Sequence, residues 1–281
     1  MYKYFSFSEY ALANILNDEL YMNHFESFND PFECWAEVLT GFPNLSDNSE
    51  RLKTILNAWG FDTSIDEDVI ENYDLYSESL IEMQPDVQEI LDGARITCFS
   101  KRSDNLLMWS HYANGLRGFC LEFDPELLLV NDPNYSKFYD VEYQDTPEVI
   151  DTALIAVLQD QINYHAEAID SGVTEDEASS YNDALNVSLA KSHEIFNKML
   201  ATKPINWKYE EEVRVIYQSL SNNKTGEFLK YPPQAIKSVI FGEKMPSKQI
   251  SALKYLFESH PYPVEFKTAK RAKGTFKVIV E

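Results

Sequence analysis

Three charged side chains in the last third of the sequence are the strongest candidates for chemistry. Glu210, Glu212 and Arg214 occupy alternate positions in the segment WKYEEEVRVIYQS, which runs from Trp207 to Ser219. If this segment is a strand, the three side chains project from one face at intervals of about 6–7 Å. Two neighbouring carboxylates repel each other, which raises the pKa of one, while Arg214 keeps the other ionised. The set could orient a ribose hydroxyl and stabilise positive charge on a sugar; the alternative is an ion-pair ladder on an edge strand.

Two other groupings of polar residues could carry chemistry. Ser100 with His111 and either Glu122 or Asp124 has the residue types of a Ser–His–acid triad, but Ser100 lacks the Gly-x-Ser-x-Gly turn that exposes a nucleophile. Asp30 with the same histidine and acids could bind a metal ion, although their spacing is not that of a metal site, and we assign no metal ligand. The sequence has neither a Walker loop nor a Gly-rich dinucleotide fingerprint, which excludes those two nucleotide sites.

The charge balance limits the partners. The 281 residues include 46 acidic and 24 basic side chains, for a formal charge of −22. An extended nucleic-acid surface needs clustered Lys and Arg, so this class is disfavoured, while a local site for one nucleotide stays open. The sequence has no run of 18 apolar residues and no signal-like start, which predicts a cytoplasmic protein without a membrane span. Cys34, Cys98 and Cys120 lack metal-type spacing and are expected to be buried free thiols.

The segment from Ile96 to Asp124 has the clearest folding pattern. Its first residues form a compact β-prone run, which predicts a strand. A helix follows, with Ser103 or Asp104 expected to cap its start and Asn114–Gly115 expected to end it. From Phe119 onward, apolar residues alternate with others, which predicts a second strand with one face in the core.

Two long stretches are helical in pattern, at about 43–92 and 146–202. The first contains an amphipathic segment from Ser49 to Trp59, and the second reads as two helices broken around Ser171–Gly172. Predicted strands lie at both ends of the chain and in its middle. The sequence therefore predicts a single α+β domain over residues 1–281, with a split mixed or antiparallel sheet and two helical insertions.

Several motifs together resemble a bacterial family of unknown function whose members occur in mobile and phage-defence contexts. This resemblance implies a toxin or defence effector, with an antitoxin or another protein of a defence operon as a partner. The motifs are YKY at Tyr2–Tyr4, FNDPFE at Phe28–Glu33, CFS at Cys98–Ser100, MWSHYA at Met108–Ala113, GFCLEF at Gly118–Phe123 and W-x-Y-E-x-E-x-R at Trp207–Arg214.

The order of elements is also similar to that of the mono-ADP-ribosyltransferase superfamily. In that fold an early strand supplies a His or Arg for NAD, a middle strand supplies a Ser or an aromatic residue, and a late strand supplies a catalytic Glu, often as E-x-E. By position, Tyr4 or Lys3 corresponds to the first, Ser100 to the second, and Glu212 with Glu210 to the third. The first strand here has neither a His nor an Arg. The likeness is one of fold.

This resemblance implies transfer of ADP-ribose from NAD to an unidentified protein or nucleic acid. Glu212 would hold the ribose hydroxyl and stabilise an oxocarbenium-like state, and Glu210 would position or deprotonate the acceptor. Glu212→Gln is then expected to abolish NAD turnover and leave thermal stability unchanged. The residues assigned to NAD binding are Tyr4, Lys3, Ser100, Tyr112 and Arg214.

Two other functions stay open. One is a non-enzymatic defence sensor or interaction module with a degenerate site, which the missing His or Arg in the first strand favours. The other is a metal-dependent nuclease or phosphohydrolase that uses the acidic residues near Asp30 and Asp124.

Overall fold

The computed structural model describes residues 1–47, 49–61, 67–130, 132–221, 223–258 and 260–281. The chain divides into two compact units. We call the first the sheet unit; it comprises Met1–Glu33, Asp92–Asp145 and Lys203–Glu281. We call the second the helical unit; it comprises Cys34–Leu91 and Thr146–Thr202.

The described residues form strands and helices along the whole chain. The strands are β1 (Tyr2–Phe5), β2 (Glu19–Met22), β3 (Ala36–Leu39), β4 (Ala94–Ser100), β5 (Phe119–Phe123), β6 (Lys137–Asp140), β7 (Glu142–Gln144), β8 (Glu148–Asp151), β9 (Thr202–Pro204), β10 (Glu212–Gln218), β11 (Glu227–Lys230), β12 (Ile236–Gly242), β13 (Glu265–Arg271) and β14 (Val278–Val280). The α-helices are α1 (Glu9–Leu16), α2 (Glu50–Trp59), α3 (Glu67–Ser79), α4 (Val87–Gly93), α5 (Leu106–His111), α6 (Pro125–Leu128), α7 (Thr152–Asp170), α8 (Glu175–Leu200) and α9 (Ser247–Glu258).

The sheet unit is built on an eight-stranded sheet with the order β14-β13-β12-β5-β1-β4-β10-β6. The β12–β13 pair is parallel, and the pairs from β12 to β6 are antiparallel. The sheet is therefore mixed, and strands from both ends of the chain meet in it, as predicted. This confirms the α+β class.

Local sequence accounts for the central strand–helix–strand segment. Asn105 caps α5 by accepting from two backbone N–H groups of its first turn. The prediction that Ser103 or Asp104 caps this helix is wrong, because Asp104 pairs instead with Arg102 at 2.8 Å. Asn114 and Gly115 adopt the predicted left-handed conformation, with φ angles of 49° and 62°, but α5 ends earlier, at His111, with Tyr112 as its C-cap.

The alternation predicted for β5 separates two apolar clusters of the sheet unit. Phe119, Leu121 and Phe123 belong to one cluster, and Cys120 belongs to the other, together with Trp109. Because successive side chains of a strand point to opposite faces, β5 contributes to the packing on both sides of the sheet.

The predicted helices of the helical unit are present. Ser49 caps α2, and Gly60 ends it with a φ of 102°. Helices α7 and α8 are separated at Ser171–Gly172, as expected, and Thr174 forms a capping box at the start of α8. Strand β8 falls inside the stretch predicted to be helical. Residues 48 and 62–66 of the first stretch lie outside the described residues, and the single domain over 1–281 stays a prediction.

Acidic charge is distributed unevenly between the units. The helical unit holds half of the 46 acidic residues but only four of the 24 basic residues, Arg51, Lys53, Lys191 and Lys198. Most of the net charge of −22 therefore comes from the helical unit, and the sheet unit is close to neutral.

None of the helices in the described ranges combines the length and apolar character that a bilayer crossing requires.

We predict that Gly118→Ala destabilises the sheet unit. A Cβ at Gly118 would overlap the carbonyl oxygen of Phe5, which is a backbone atom at the end of β1 and cannot rotate away. We expect a loss of about 3 kcal/mol in the free energy of unfolding, measured in urea. The control is Gly172→Ala, where a Cβ meets nothing within 4 Å and only a φ of 85° opposes the change. A Gly118 variant no less stable than this control would contradict the packing argument.

Candidate functional site

Glu210 and Glu212 do not share one continuous strand. A 3₁₀ helix covers Ile205–Glu210, strand β10 covers Glu212–Gln218, and Glu211 between them has a φ of 43°. The prediction of a single strand from Trp207 is therefore wrong. A left-handed residue reverses the local backbone direction, so the spacing of an extended chain does not apply across it.

Contacts from a distant part of the sequence fix this turn. The Ser100 hydroxyl donates to the carbonyl oxygen of Glu210 at 2.7 Å, and the Asn105 side-chain amide donates to the carbonyl oxygen of Tyr209 at 2.5 Å. These bonds satisfy carbonyl groups that a continuous strand would have paired in its ladder. The alternating sequence pattern carried no sign of them.

Lys203 lies at the centre of the site. Its Nζ atom is 2.7 Å from Oε2 of Glu210 and 2.9 Å from Oε2 of Glu212. Glu33 is also near, with its Oε2 atom 3.9 Å from the same nitrogen. All four side chains are buried. One ammonium group therefore joins three carboxylates away from water.

Arg214 is the second cation of the group. Its Nη2 atom is 2.5 Å from Oε1 of Glu33, and its Nε atom donates to Oε1 of Glu212 at 2.8 Å. We call Glu33, Lys203, Glu210, Glu212 and Arg214 the carboxylate cluster. With three acids and two bases, it is electrically neutral when one carboxyl group carries a proton.

The surroundings shift the pKa of Glu212 in the opposite direction to the pKa values of Glu210 and Glu33. Burial alone would raise the pKa of Glu212, but Arg214 and Lys203 together hold this pKa well below its usual range. Burial raises the pKa of Glu210 against the pull of Lys203, and it raises the pKa of Glu33 against the pull of Arg214. Burial opposes the charge of Lys203, but its carboxylate neighbours raise the pKa of this ammonium. These directions favour ionisation of Glu212 and protonation of Glu210 or Glu33. The directions of these pKa shifts agree with the expectation from the sequence that one carboxylate has a raised pKa while the other is kept ionised.

A cavity of about 390 Å³ opens beside the cluster. The hydroxyl of Tyr112 donates to Oε1 of Glu210 at 2.5 Å at its wall. The wall combines carboxylates, ammonium groups and aromatic rings, contributed by Glu210, Glu212, Lys3, Lys203, Tyr2, Tyr4, Phe28, Phe99 and Tyr112 among others.

The predicted NAD-binding residues fall into two groups. Tyr4, Lys3, Ser100 and Tyr112 all line the cavity. Arg214 is fully buried against Glu33 and Glu212 and is not part of the wall among the described residues. The structure thus brings most of the predicted set together, and their assignment to NAD stays a prediction.

Lys3, Tyr4 and Ser100 donate hydrogen bonds to other groups of the protein. Lys3 donates through Nζ to the Thr97 hydroxyl at 2.8 Å and to the carbonyl oxygen of Cys98 at 2.9 Å. The hydroxyl of Tyr4 donates to the carbonyl oxygen of Arg102 at 2.7 Å. Ser100 donates within the fold, as described above. These side chains have a structural function before any ligand is considered.

Sequence reasoning missed Lys203 and Glu33 as site residues. Lys203 is a single lysine in the segment ATKPINW, where no pattern marks it. Only an indirect signal could have indicated Lys203. Three consecutive glutamates followed by one arginine need a second cation nearby if the glutamates are buried. Glu33 ends the FNDPFE motif, whose turn-forming residues indicated only a structural turn.

The other groupings are not assembled. The Ser100 hydroxyl bonds the backbone, while Asp124 caps α6 and pairs with Lys237 at 2.8 Å. Asp30 accepts from the backbone N–H of Phe32 at 2.9 Å. Within the described ranges, no group of three or more His, Cys, Asp or Glu residues could hold a metal ion. The triad and the metal alternative therefore lack an assembled set of residues.

The fold and site define an α+β protein with a buried carboxylate cluster at the wall of a cavity. Residues 108–215 match a family described as protein of unknown function (DUF2971). This match supports the resemblance to an uncharacterised family and includes the segment from α5 to the middle of β10. No curated protein and no solved structure matches the chain significantly.

We predict that Lys203→Met destabilises the protein in a pH-dependent way. Removing the ammonium leaves buried carboxylates with too few cations, which costs about 3–5 kcal/mol at pH 7. The folded-state pKa of Glu210 then rises further above its unfolded value, so the stability it supplies in its protonated form is lost as the pH rises. The variant should therefore regain stability as the pH falls from 7 toward 5, in urea titrations at each pH.

The matched control is Lys101→Met, which removes an ammonium 2.6 Å from Asp140 at the surface. Exposed pairs contribute less than about 1 kcal/mol, so this variant should remain close to the parent at both pH values. Equal losses in the two variants would contradict the buried cluster. The cluster also revises the expectation for Glu212→Gln, which should lose stability because Arg214 and Lys203 lose a buried anion.

Proposed function

We propose that the chain is an NAD-dependent, ADP-ribosyltransferase-like effector whose active site is the cavity beside the carboxylate cluster. The observation that carries the proposal is that Lys203 joins Glu210 and Glu212 at the cavity wall, while Arg214 pairs with Glu212. The two cations lower the pKa of Glu212, whereas burial raises the pKa of Glu210. Two carboxyl groups whose pKa values differ in this way can serve as an electrostatic stabiliser and a base.

The reaction needs few groups. Cleavage of the bond between ribose and nicotinamide develops positive charge on the sugar, and a fixed carboxylate in a dry site stabilises that charge. Nicotinamide leaves as a neutral ring and needs no acid. Glu212 is held by Lys203 and Arg214, so it would supply the fixed negative charge, and Glu210 would receive the proton of the acceptor.

Charge distribution is compatible with an anionic dinucleotide. The helical unit carries most of the net charge of −22. The cavity belongs to the near-neutral sheet unit, and Lys3 and Lys203 stand on its wall.

A toxin or phage-defence setting, an antitoxin or defence-operon partner, and a protein or nucleic-acid acceptor are parts of the same proposal and rest on the family resemblance. We propose the cytoplasm as the compartment because its reducing conditions suit the free thiols of Cys34, Cys98 and Cys120.

A binding module without activity is the second candidate. It is favoured by the internal hydrogen bonds of Ser100 and Tyr4, which leave the hydroxyl protons of these two residues committed to backbone carbonyls. In this case the cavity would bind a nucleotide as a signal.

Calorimetric titration of NAD into the protein, with nicotinamide release followed in parallel, tests both candidates. We expect binding and release in the parent. Glu210→Gln should slow release by about 100-fold or more because the base is lost, with NAD affinity retained. Glu258→Gln changes an exposed glutamate on α9 and should release nicotinamide at the parental rate. Binding without release would favour the binding module, and no binding at millimolar NAD would exclude NAD as the ligand.

Glu212→Gln should abolish release, because the fixed negative charge opposite the sugar is removed. Its unfolding midpoint must be measured alongside, since the cluster loses an anion. A folded Glu212→Gln variant that keeps the full rate would remove Glu212 from the mechanism.

A further inference from the structure

Glu210 lines the cavity, but both of its carboxylate oxygens are already engaged. The residue is 3% exposed, its Oε1 atom accepts from Tyr112, and its Oε2 atom accepts from Lys203. A group that receives a proton from a bound acceptor must reach it within hydrogen-bond distance or through an intermediary. The two side chains bonded to these oxygens therefore decide how the carboxylate can exchange a proton.

We propose that Tyr112 is a catalytic proton relay that accepts the proton of the attacking nucleophile while it passes its own to Glu210. This inference rests on the proposed function and adds a residue role to it. Tyr112 lines the cavity, is half-buried, and donates to Oε1 of Glu210 at 2.5 Å.

The position of Tyr112 is fixed by its surroundings. Its backbone N–H donates to the carbonyl oxygen of Met108 at 3.0 Å as the C-terminal cap of α5. The side chain of Asn29 also hydrogen-bonds to the Tyr112 hydroxyl. A phenol oxygen has two acceptor lone pairs, so one remains for a nucleophile in the cavity.

Lys203 is the other neighbour of Glu210, but it does not serve as the relay. Its ammonium bonds both Glu210 and Glu212, and these anions raise its pKa, so it stays protonated and cannot accept a proton. Burial and Glu210 raise the pKa of Tyr112, which disfavours a free phenolate. The two proton transfers at Tyr112 are therefore concerted.

The step is balanced with water as the nucleophile and NAD as the substrate. The water oxygen forms a bond to C1′ of the ribose as the bond from C1′ to the nicotinamide nitrogen breaks, and the electron pair of that bond leaves with the nitrogen. A water proton moves to the Tyr112 oxygen, and the phenolic proton moves to Oε1 of Glu210. The products are ADP-ribose, neutral nicotinamide and a protonated Glu210.

Tyr112→Phe tests the relay because it removes one oxygen and keeps the ring. We expect NAD affinity by calorimetry to change less than about twofold and single-turnover nicotinamide release to fall about 100-fold, the contribution of general base catalysis. Tyr10→Phe makes the same change at a tyrosine that is 85% exposed and should leave both unchanged.

The outcomes separate the relay from the proposed function. If the parent neither binds nor cleaves NAD, the proposed function fails and the relay with it. If the parent cleaves NAD and folded Tyr112→Phe does so at the same rate, the relay alone is overturned. If Tyr112→Phe does not fold, the relay is tested on the parent protein instead. We then expect single-turnover nicotinamide release to be slower in D₂O than in H₂O, because protons move in the reacting step. Equal rates in the two solvents would overturn the relay.

Discussion

The burial of three carboxylates around two cations is the constraint on which the site depends. Ionised groups removed from water are tolerated only when each finds an opposite charge and hydrogen bonds. Lys203 meets this requirement for Glu210 and Glu212, and Arg214 meets it for Glu212 and Glu33. The loss of either cation would leave an uncompensated charge in the interior, so the cluster stabilises one arrangement of the segments that supply it.

The sheet brings these segments together. Ser100 at the end of β4 pairs with Tyr2 of β1 on one side and with Glu212 of β10 on the other. This register places the end of β4 between the cavity-lining residues of β1 and Glu212 of β10. The Ser100 hydroxyl then holds the carbonyl group of Glu210 and fixes the turn that precedes β10. The serine predicted to orient nicotinamide thus positions the carboxylate backbone.

The charge count links structure to chemistry. Because the cluster has one more acid than base, its net charge is −1 when all three carboxyl groups are ionised and zero when one of them carries a proton. Glu210 is the member at the cavity that is bonded to Tyr112, so a proton can move between the cluster and a ligand there. Arg214 and Lys203 hold the pKa of Glu212 low. An anion held in this way beside a proton acceptor is what the proposed reaction requires, in which a sugar becomes cationic and a nucleophile loses a proton.

The sequence alone determined the elements that depend on neighbouring residues, such as helix caps and the alternation of a strand. Ser49 and Gly60 mark the ends of α2, the alternation from Phe119 sets the two faces of β5, and Asn114–Gly115 forms the left-handed turn that follows α5. The opposite pKa shifts of Glu210 and Glu212 were also predicted, since an arginine beside two neighbouring carboxylates favours ionisation of one of them. Only the tertiary structure decided that Glu211 turns left-handed and that Lys203 supplies the missing cation. These features depend on hydrogen bonds and ion pairs between residues far apart in the chain, and neither periodicity nor capping rules contain that information.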